Sequence, residues 1–282
     1  MADTRAINFA DPVNRGHALN RGRVAWWLTL PGSVGGGTWR DITNNKNTGV
    51  LTNMATGANG FRPTNRPGGY GQILCDGAST FGYVDCGSAA AWNQTNWTVS
   101  AWFIRTGNSP INYNGIASRA PNASTAGQFF LYHLSTDNKL HVDIPYVVAD
   151  AVKGTTVLSA LGVWNHAAVT KVENFYSLYL NGILDGTATT ANAPTFSGSF
   201  KIANYYDTGN HGLVGSVDDV QFYSRGCSAV EILQIYNLSQ RGYPGVLNRL
   251  HWPMTFAAAA GGGNHFRRTN QFAKRTGCRQ ST

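Results

Sequence analysis

Charged residues are scarce in this chain of 282 residues, at 13% of the sequence against the roughly 25% usual for a globular protein. Aromatic residues make up 12%, and there are 33 glycines, so the composition favours an all-β protein. No apolar run approaches the roughly 18 residues that span a bilayer. The first residues lack the apolar stretch of a secretion signal. We therefore expect neither membrane insertion nor export by that route.

Catalytic motifs are also missing. The sequence has two glutamates, Glu173 in a turn-like segment and Glu231 in a helix-capping motif. It therefore has no Glu-x-Asp-x-x-Glu strand of the kind that places two carboxylates around a glycosidic bond. It also has no G-x-S-x-G elbow, phosphate-binding loop or H-E-x-x-H zinc helix. We expect a protein that is not an enzyme.

The four cysteines are too few for a disulfide scaffold. Cys75 and Cys86 lie on two successive strand candidates, where each could be a small buried hydrophobe or the two could form a disulfide. The first interpretation is preferred. No cysteine pair has C-x₂-C spacing and the seven histidines are scattered, so the sequence predicts no zinc site.

The net charge of +8 belongs to the two ends of the chain. Residues 1–40 carry +3 and residues 241–282 carry +7, whereas residues 41–240 carry −2. Basic segments attract nucleic acid, acidic surfaces or acidic proteins, or simply raise solubility. We expect the two ends to be ordered by contacts with neighbouring chains. The candidate assembly contacts are Arg267, Arg268, Lys274 and Arg275.

Strand patterns follow one another between residues 24 and 224. Residues 97–105 and 139–144 alternate with period two, so that one face of each strand would pack on a core. The dipeptide Asn181-Gly182 predicts a type I′ hairpin turn, because both of its central residues need positive φ. About a dozen such strands indicate two packed antiparallel sheets.

One helix follows the strands. Ser228 and Glu231 have the spacing of a capping box, in which each side chain binds the other residue's backbone amide. Ile232, Ile235 and Tyr236 then form an apolar stripe at helical spacing. The pattern predicts one short helix that ends near Gly242.

Four segments carry a family resemblance: 97–103 (WTVSAWF), 163–170 (VWNHAAVT), 178–182 (LYLNG) and 215–225 (GSVDDVQFYSR). In order and spacing they resemble the laminin-G-like, concanavalin-A-like jelly-roll family. The resemblance implies an all-β, two-sheet antiparallel jelly-roll sandwich with one short C-terminal helix and extended terminal arms. The implied domains are an N-terminal arm (1–22), a jelly roll (23–242) and a basic Gly/Ala-rich C-terminal arm (243–282). Segments 22–31 and 35–41 resemble versions found in tailed-phage virion proteins.

Two sites are expected on this fold. By alternation, Asp218 shares a face with Val220 and Phe222, where a carboxylate needs a partner. Hydrogen bonds from loop amides are the preferred partner. The alternative is a structural calcium, which related jelly rolls sometimes hold near this strand with an acid of the first hairpin, here Asp76. Surface aromatics could stack on sugar rings. The candidate glycan-binding residues are Trp102, Tyr205, Tyr206, Asp207 and Asn210, with Tyr113 as a further surface aromatic. For the loop 204–210, an ordinary turn or a protein contact is the preferred interpretation.

Fold alone does not assign a function. Our expectation is a non-catalytic structural virion protein, a capsid decoration or a tail or fibre component. Its lectin-like body would be anchored by the arms to capsid or tail subunits, as a homo-oligomer. It would be made in the host cytoplasm and reside in the virion, with no cofactor beyond the candidate calcium. The alternative is a glycan-binding adhesion module for cell surfaces. Nucleic acid is not an expected partner.

Overall fold

The computed structural model describes residues 13–30, 32–54, 61–76, 82–121, 127–144, 148–190, 195–204, 211–244 and 246. Contacts divide the chain into two units, Met1–Leu250 and His251–Thr282, and all described residues belong to the first. They form two antiparallel sheets and one α-helix. The predicted two-sheet sandwich is confirmed. No helix in these ranges is long and apolar enough to cross a membrane.

The strands follow one another in short succession, as the turn-rich sequence predicts. They are β1 (Arg23–Trp27), β2 (Val34–Gly35), β3 (Thr38–Trp39), β4 (Gly49–Thr52), β5 (Phe61–Arg62), β6 (Gln72–Asp76), β7 (Tyr83–Asp85), β8 (Trp97–Arg105), β9 (Tyr113–Arg119), β10 (Phe129–Leu134), β11 (Lys139–Ile144), β12 (Val148–Lys153), β13 (Trp164–Val172), β14 (Phe175–Leu180), β15 (Ile183–Thr189), β16 (Phe200–Ile202) and β17 (Val214–Tyr223). The helix α1 spans Ala229–Ser239, and two 3₁₀ turns span Ala18–Asn20 and Ala90–Trp92.

One sheet has eight strands in the order β15-β14-β13-β8-β17-β6-β5, with β1 also paired to β17. The other has nine, in the order β12-β11-β10-β9-β16-β7-β4-β3-β2. The core lies between them. As alternation predicts, one face of β8 and one face of β11 are buried in this core. Stacked aromatic rings fill its centre, with the Trp27 and Phe200 centroids 5.5 Å apart.

The helix packs on the outer face of the eight-stranded sheet. The Ser228 hydroxyl accepts a hydrogen bond from the Glu231 amide at 3.3 Å, and Glu231 accepts one from the Ser228 amide at 2.9 Å. The predicted capping box is therefore confirmed. Ile232 and Ile235 are fully buried against the sheet. The Asn181-Gly182 turn is confirmed too, because φ is 51° and 81° at these two residues.

The described ends of the chain pack against the sandwich. Val13 and Leu19 are buried, although they lie in the predicted 1–22 arm. Tyr243 and Val246, from the predicted 243–282 arm, are also buried, and the Asn14 amide donates to the Val246 carbonyl at 2.8 Å. The compact body therefore extends beyond 23–242 at both ends. The candidate assembly contacts Arg267, Arg268, Lys274 and Arg275 lie outside the described residues.

Cys75, Cys86 and Cys227 are free, buried thiols. Cys75 and Cys86 both belong to the apolar core. The interpretation of this pair as buried hydrophobes is confirmed, and the alternative disulfide is not formed. Burial raises the pKa of the Cys227 thiol to about 11, so the thiol is protonated at neutral pH.

Candidate functional site

Asp218 lies on the opposite face of β17 from the one that alternation predicts. The pairing of β17 with β8 shifts between Asp218 and Gln221, and Asp219 has a φ of 54°. This bulge adds one residue to the strand. Val217 and Val220 therefore both face the core, and Asp218 points away from it. The predicted shared face of Asp218 with Val220 is wrong, because the alternation assumed an unbroken strand.

The Asp218 carboxylate is paired with a buried arginine. One oxygen accepts a hydrogen bond from the Thr29 amide at 2.9 Å, and the other accepts one from Nε of Arg66 at 2.8 Å. Nη2 of Arg66 lies 2.7 Å from the same oxygen. Burial alone would lower the pKa of Arg66, but the charges of Asp218 and Asp219 raise it. The guanidinium therefore stays charged.

A calcium role for Asp218 does not fit this arrangement, because a guanidinium already occupies the position that the cation would take. The backbone of Asp76 pairs with that of Val214 in β6 and β17, but its side chain lies outside the described residues. Among the described residues, no three His, Cys, Asp or Glu side chains form a group that could hold a metal ion.

Trp102 is not a surface aromatic. It is 3% exposed, and its Nε1 donates to the Ser239 hydroxyl at 2.9 Å. Its ring stacks on Tyr236 of α1, with centroids 5.5 Å apart and planes 20° apart. The prediction that Trp102 binds glycan is wrong, because α1 covers this face of β8.

The predicted binding loop is described only at its two ends. Tyr205, Tyr206, Asp207 and Asn210 lie outside the described residues. Before and after them, Asn204 and Gly212 form an isolated antiparallel bridge. The Gly115 amide of β9 donates to the His211 carbonyl at 3.3 Å. The described residues Ala203 and His211 on either side of this segment therefore lie beside β9.

Aromatic side chains line the outer face of the nine-stranded sheet at that point. On β10, Leu131 packs in the core, so its neighbours Phe130 and Tyr132 point outward. Tyr113 of β9 lies beside Tyr132, with ring centroids 5.4 Å apart, and 5.6 Å from the ring of His211. Phe130 and Tyr132 are buried, whereas Tyr113 is partly exposed. We define Tyr113, Phe130, Tyr132 and His211 as the aromatic patch.

Polar groups of β11 adjoin the aromatic patch. The Tyr132 hydroxyl donates to the two carboxylate oxygens of Asp143 at 3.1 and 3.2 Å. The ring of His141 stacks on Tyr132, with centroids 5.4 Å apart. Asp143 and His141 are buried and hold Tyr132 in place, whereas a partly exposed aromatic ring such as Tyr113 can stack on the apolar C–H face of a sugar.

Asp137 adjoins these polar groups of β11. Its carboxylate lies 3.0 Å from Nε2 of His141 and 2.8 Å from Nζ of Lys153. Burial acts to raise the pKa of Asp137, but the hydrogen bonds from Lys153 and His141 lower it to about 2. This carboxylate is therefore ionised at neutral pH.

Sequence reasoning singled out Tyr113 but missed Phe130, Tyr132 and Asp143. The sequence signal that could have found Phe130 and Tyr132 is the alternation of side chains along residues 129–134. Both faces of this strand carry large apolar or aromatic residues, so the pattern does not distinguish the core face from the outer face.

The fold has known relatives. A family model described as the concanavalin A-like lectin/glucanases superfamily matches residues 77–233. No curated protein matches the chain. Among solved structures, the chain is similar to the sialidase of Trypanosoma rangeli, with a TM-score of 0.56 and 15% identity over 77% of this chain and 33% of that one. It thus spans about a third of the sialidase.

Two smaller structures have the same fold. Domain 4 of an extracellular arabinanase from Geobacillus stearothermophilus, solved with arabinotriose, has a TM-score of 0.57 and 14% identity, over 76% of this chain and 98% of that one. The binding domain of Paraclostridial Mosquitocidal Protein 1 has a TM-score of 0.52 and 12% identity, over 78% of this chain and 52% of that one. At these identities, the likenesses show the fold alone.

Proposed function

Because this chain belongs to the concanavalin A-like lectin/glucanases superfamily, we propose that its sandwich is a non-catalytic glycan-binding module. The observation that carries the proposal is the partly exposed Tyr113, which lies between Tyr132 and His211 on the outer face of the nine-stranded sheet. Asn204 and Gly212, which flank the segment that holds Tyr205 and Tyr206, form an antiparallel bridge, and His211 is bonded to Gly115 of β9.

The chemistry of the patch suits a saccharide. A sugar ring placed on Tyr113 would bury its C–H face against the aromatic ring, a contact worth on the order of 1 kcal/mol. Asp143 and His141 are buried, so they support Tyr132 and do not contact the sugar. Because Tyr132 donates to Asp143 and stacks on His141, these groups are already held in place. Preorganisation of this kind lowers the entropy lost on binding.

The fold relatives support a saccharide ligand. The arabinanase domain is covered almost completely by this chain and was solved with arabinotriose. It shows that a sandwich of this architecture holds an oligosaccharide as a separate domain. The sialidase belongs to a longer chain, and its activity is a property of that protein.

The positions of the described carboxylates support binding without hydrolysis. Glycoside cleavage requires two carboxyl groups facing one sugar, roughly 5 to 9.5 Å apart. Glu231 is held by Arg225 at 2.7 and 2.9 Å and by the helix cap. Asp218 and Asp219 are buried. These three groups are therefore unavailable to a substrate. Beside the aromatic patch, Asp143 is buried and Asp137 is paired with Lys153 and His141.

The test is calorimetric titration with a panel of neutral and acidic oligosaccharides that includes arabinotriose. We expect Tyr113→Ala to weaken saccharide binding at least about tenfold, because the variant loses the stacking contact on Tyr113 together with the contacts next to it. The pair Tyr205→Ala and Tyr206→Ala should also weaken it. The control is Phe175→Ala, which removes an exposed aromatic side chain at the start of β14.

Two results would contradict the proposal. One is that no saccharide in the panel binds. The other is that Phe175→Ala and Tyr113→Ala weaken binding equally, which would mean that the aromatic patch is not the site. The appearance of cleaved saccharide during the titration would contradict the non-catalytic role.

We further propose that the module serves as a structural virion component, a capsid decoration or a tail or fibre subunit. The charge of +7 on residues 241–282, against −2 on residues 41–240, favours docking of that segment on an acidic neighbour. Purified particles should contain the protein by mass spectrometry. Removal of 257–282 should prevent incorporation while the melting temperature stays unchanged. Particles that incorporate the truncated protein normally would refute the docking role.

A further inference from the structure

Two adjoining clefts flank the loop between β3 and β4, away from the aromatic patch. The larger, of about 320 Å³, is lined by Arg15, Asn20, Arg23, Thr43, Asn44 and Asn45. The smaller, of about 280 Å³, shares Thr43 and Asn44 and adds Arg40 and Lys46. Four cationic residues therefore contribute to the linings of the two clefts. We call the larger one the arginine cleft.

The carboxylate of this region is used by the loop itself. Asp41 accepts hydrogen bonds from the backbone amides of Trp26, Thr43 and Asn47 at 2.9, 2.8 and 3.0 Å. Its side chain is buried. Asp41 shapes the loop and points its oxygens at these amides.

Arg23 is a buried cation held by neutral partners. Its Nε and Nη2 donate to the Tyr223 hydroxyl at 3.0 and 2.6 Å, and its Nη1 donates to Asn20 Oδ1. The guanidinium lies 4.1 Å from the centre of the Trp26 ring. It forms no ion pair with any carboxylate of the described residues. A buried charge of this kind is costly unless an opposite charge approaches it.

The guanidinium of Arg23 also has unused donors. A guanidinium carries five N–H groups, and the three bonds to Tyr223 and Asn20 use three of them. Fixed, planar donors of this kind match the oxygens of a sulfate, phosphate or carboxylate group. The exposed Asn44 adds an amide at the rim.

We propose that the arginine cleft binds an oxyanion group, the sulfate or carboxylate of an acidic saccharide, with Arg23 as the fixed donor and Arg15 and Asn44 at the rim. This goes beyond the glycan site proposed above, because the cleft shares no residue with the aromatic patch. An acidic saccharide would bind at the arginine cleft, whereas a neutral saccharide would not.

The probes are inorganic sulfate, inorganic phosphate, and one disaccharide in sulfated and unsulfated forms, each measured at constant ionic strength with chloride as the reference. Sulfate should raise the melting temperature, because a ligand of the folded state stabilises it. The sulfated disaccharide should bind at least about tenfold more tightly than the unsulfated one. Equal binding of free phosphate and the sulfated sugar would identify the shared oxyanion as the recognised group.

The decisive variant is Asn44→Asp, which places a negative charge at the rim without changing the size of an exposed side chain. It should remove the sulfate-dependent shift and weaken the sulfated disaccharide at least about tenfold. The matched control is Asn174→Asp, an exposed asparagine in the turn between β13 and β14, which should keep both. Arg15→Gln should weaken binding in the same direction as Asn44→Asp.

Three results would overturn the inference. Sulfate could leave the melting temperature no higher than chloride does, or Asn44→Asp and Asn174→Asp could weaken binding of the sulfated disaccharide equally. The third is that duplex DNA displaces the sulfated disaccharide at a lower concentration than free sulfate does. The inference and the glycan-binding proposal fail separately. Tyr113→Ala should leave the sulfate shift intact, and Asn44→Asp should leave neutral saccharide binding intact.

Discussion

His166 is a buried histidine whose protonation we expect to control stability in acid. On β13 its ring packs against those of Trp102 and Tyr236, with centroids 5.5 and 5.8 Å away. The side chain is fully buried, and neither ring nitrogen has a hydrogen-bond partner. Burial, together with the charge of Arg66, lowers the pKa of His166 from 6.5 to about 3.

The sign of the effect follows from proton binding. Between pH 6.5 and about 3, the unfolded chain binds a proton at His166 that the folded chain does not. The stabilisation is therefore fully present above pH 6.5 and declines as the pH falls. One proton gives a slope of about 1.4 kcal/mol per pH unit. Between about pH 6 and about pH 4.5, His166 should cost about 2 kcal/mol of the free energy of unfolding.

His133 adds to the acid response of the native protein. Burial, together with the charge of Arg105, lowers its pKa to about 4. In the upper part of this pH range, His133 and His166 therefore both contribute to the slope of the native protein's free energy of unfolding against pH. Only the difference between a variant and the native protein isolates His166.

The assay is urea unfolding at a series of pH values from about 7 to about 4.5. His166→Phe should reduce the slope of unfolding free energy against pH by about 1.4 kcal/mol per pH unit. The control is Ile235→Val, a buried change in the adjoining helix α1 that costs about 1 kcal/mol and removes no titratable group. It should lower stability equally at every pH. An unchanged slope in His166→Phe would refute the reasoning.

Two further predictions concern stability, and both are measured by urea unfolding. Arg66→Met leaves the fully buried Asp218 carboxylate without its cationic partner and should lower the free energy of unfolding by about 3 to 5 kcal/mol. Lys153→Gln breaks a half-exposed pair with Asp137 and should lower it by less than about 1 kcal/mol. Similar losses in the two variants would contradict the assignment of Arg66 as a buried partner. Ser228→Ala removes the helix cap and should lower the free energy of unfolding by about 1 kcal/mol. Val230→Ala, a change at an exposed position two residues further along α1, should lower it by less than about 0.5 kcal/mol. Equal losses in these two would show that the cap does not stabilise α1.

Local patterns were sufficient to predict much of the fold. The alternation of residues 97–105 and 139–144 indicates strands with one buried face, because successive side chains of a strand point to opposite sides. The Asn181-Gly182 turn and the Ser228–Glu231 cap involve residues within three positions of each other. Their geometry depends on the local backbone, so the sequence predicts them correctly.

The candidate site was predicted less well. Tyr113 is on the aromatic patch, but Trp102 is covered by α1 and Asp218 is turned toward Arg66 by a bulge. A bulge changes which face a side chain occupies, and alternation does not reveal where it falls. Whether an outward-facing aromatic meets solvent or a helix depends on how elements far apart in the chain pack.

The strands, the hairpin turn and the capped helix were predictable from the sequence, because those features arise from neighbouring residues. The pairing of the charges was not, because it depends on contacts between residues far apart in the chain. Arg66 meets Asp218 across 152 positions of sequence, and Arg23 meets Tyr223 across 200. The first pair closes a buried contact, and the second leaves a guanidinium at the edge of a cleft. Such distinctions depend on long-range packing, which no local pattern records.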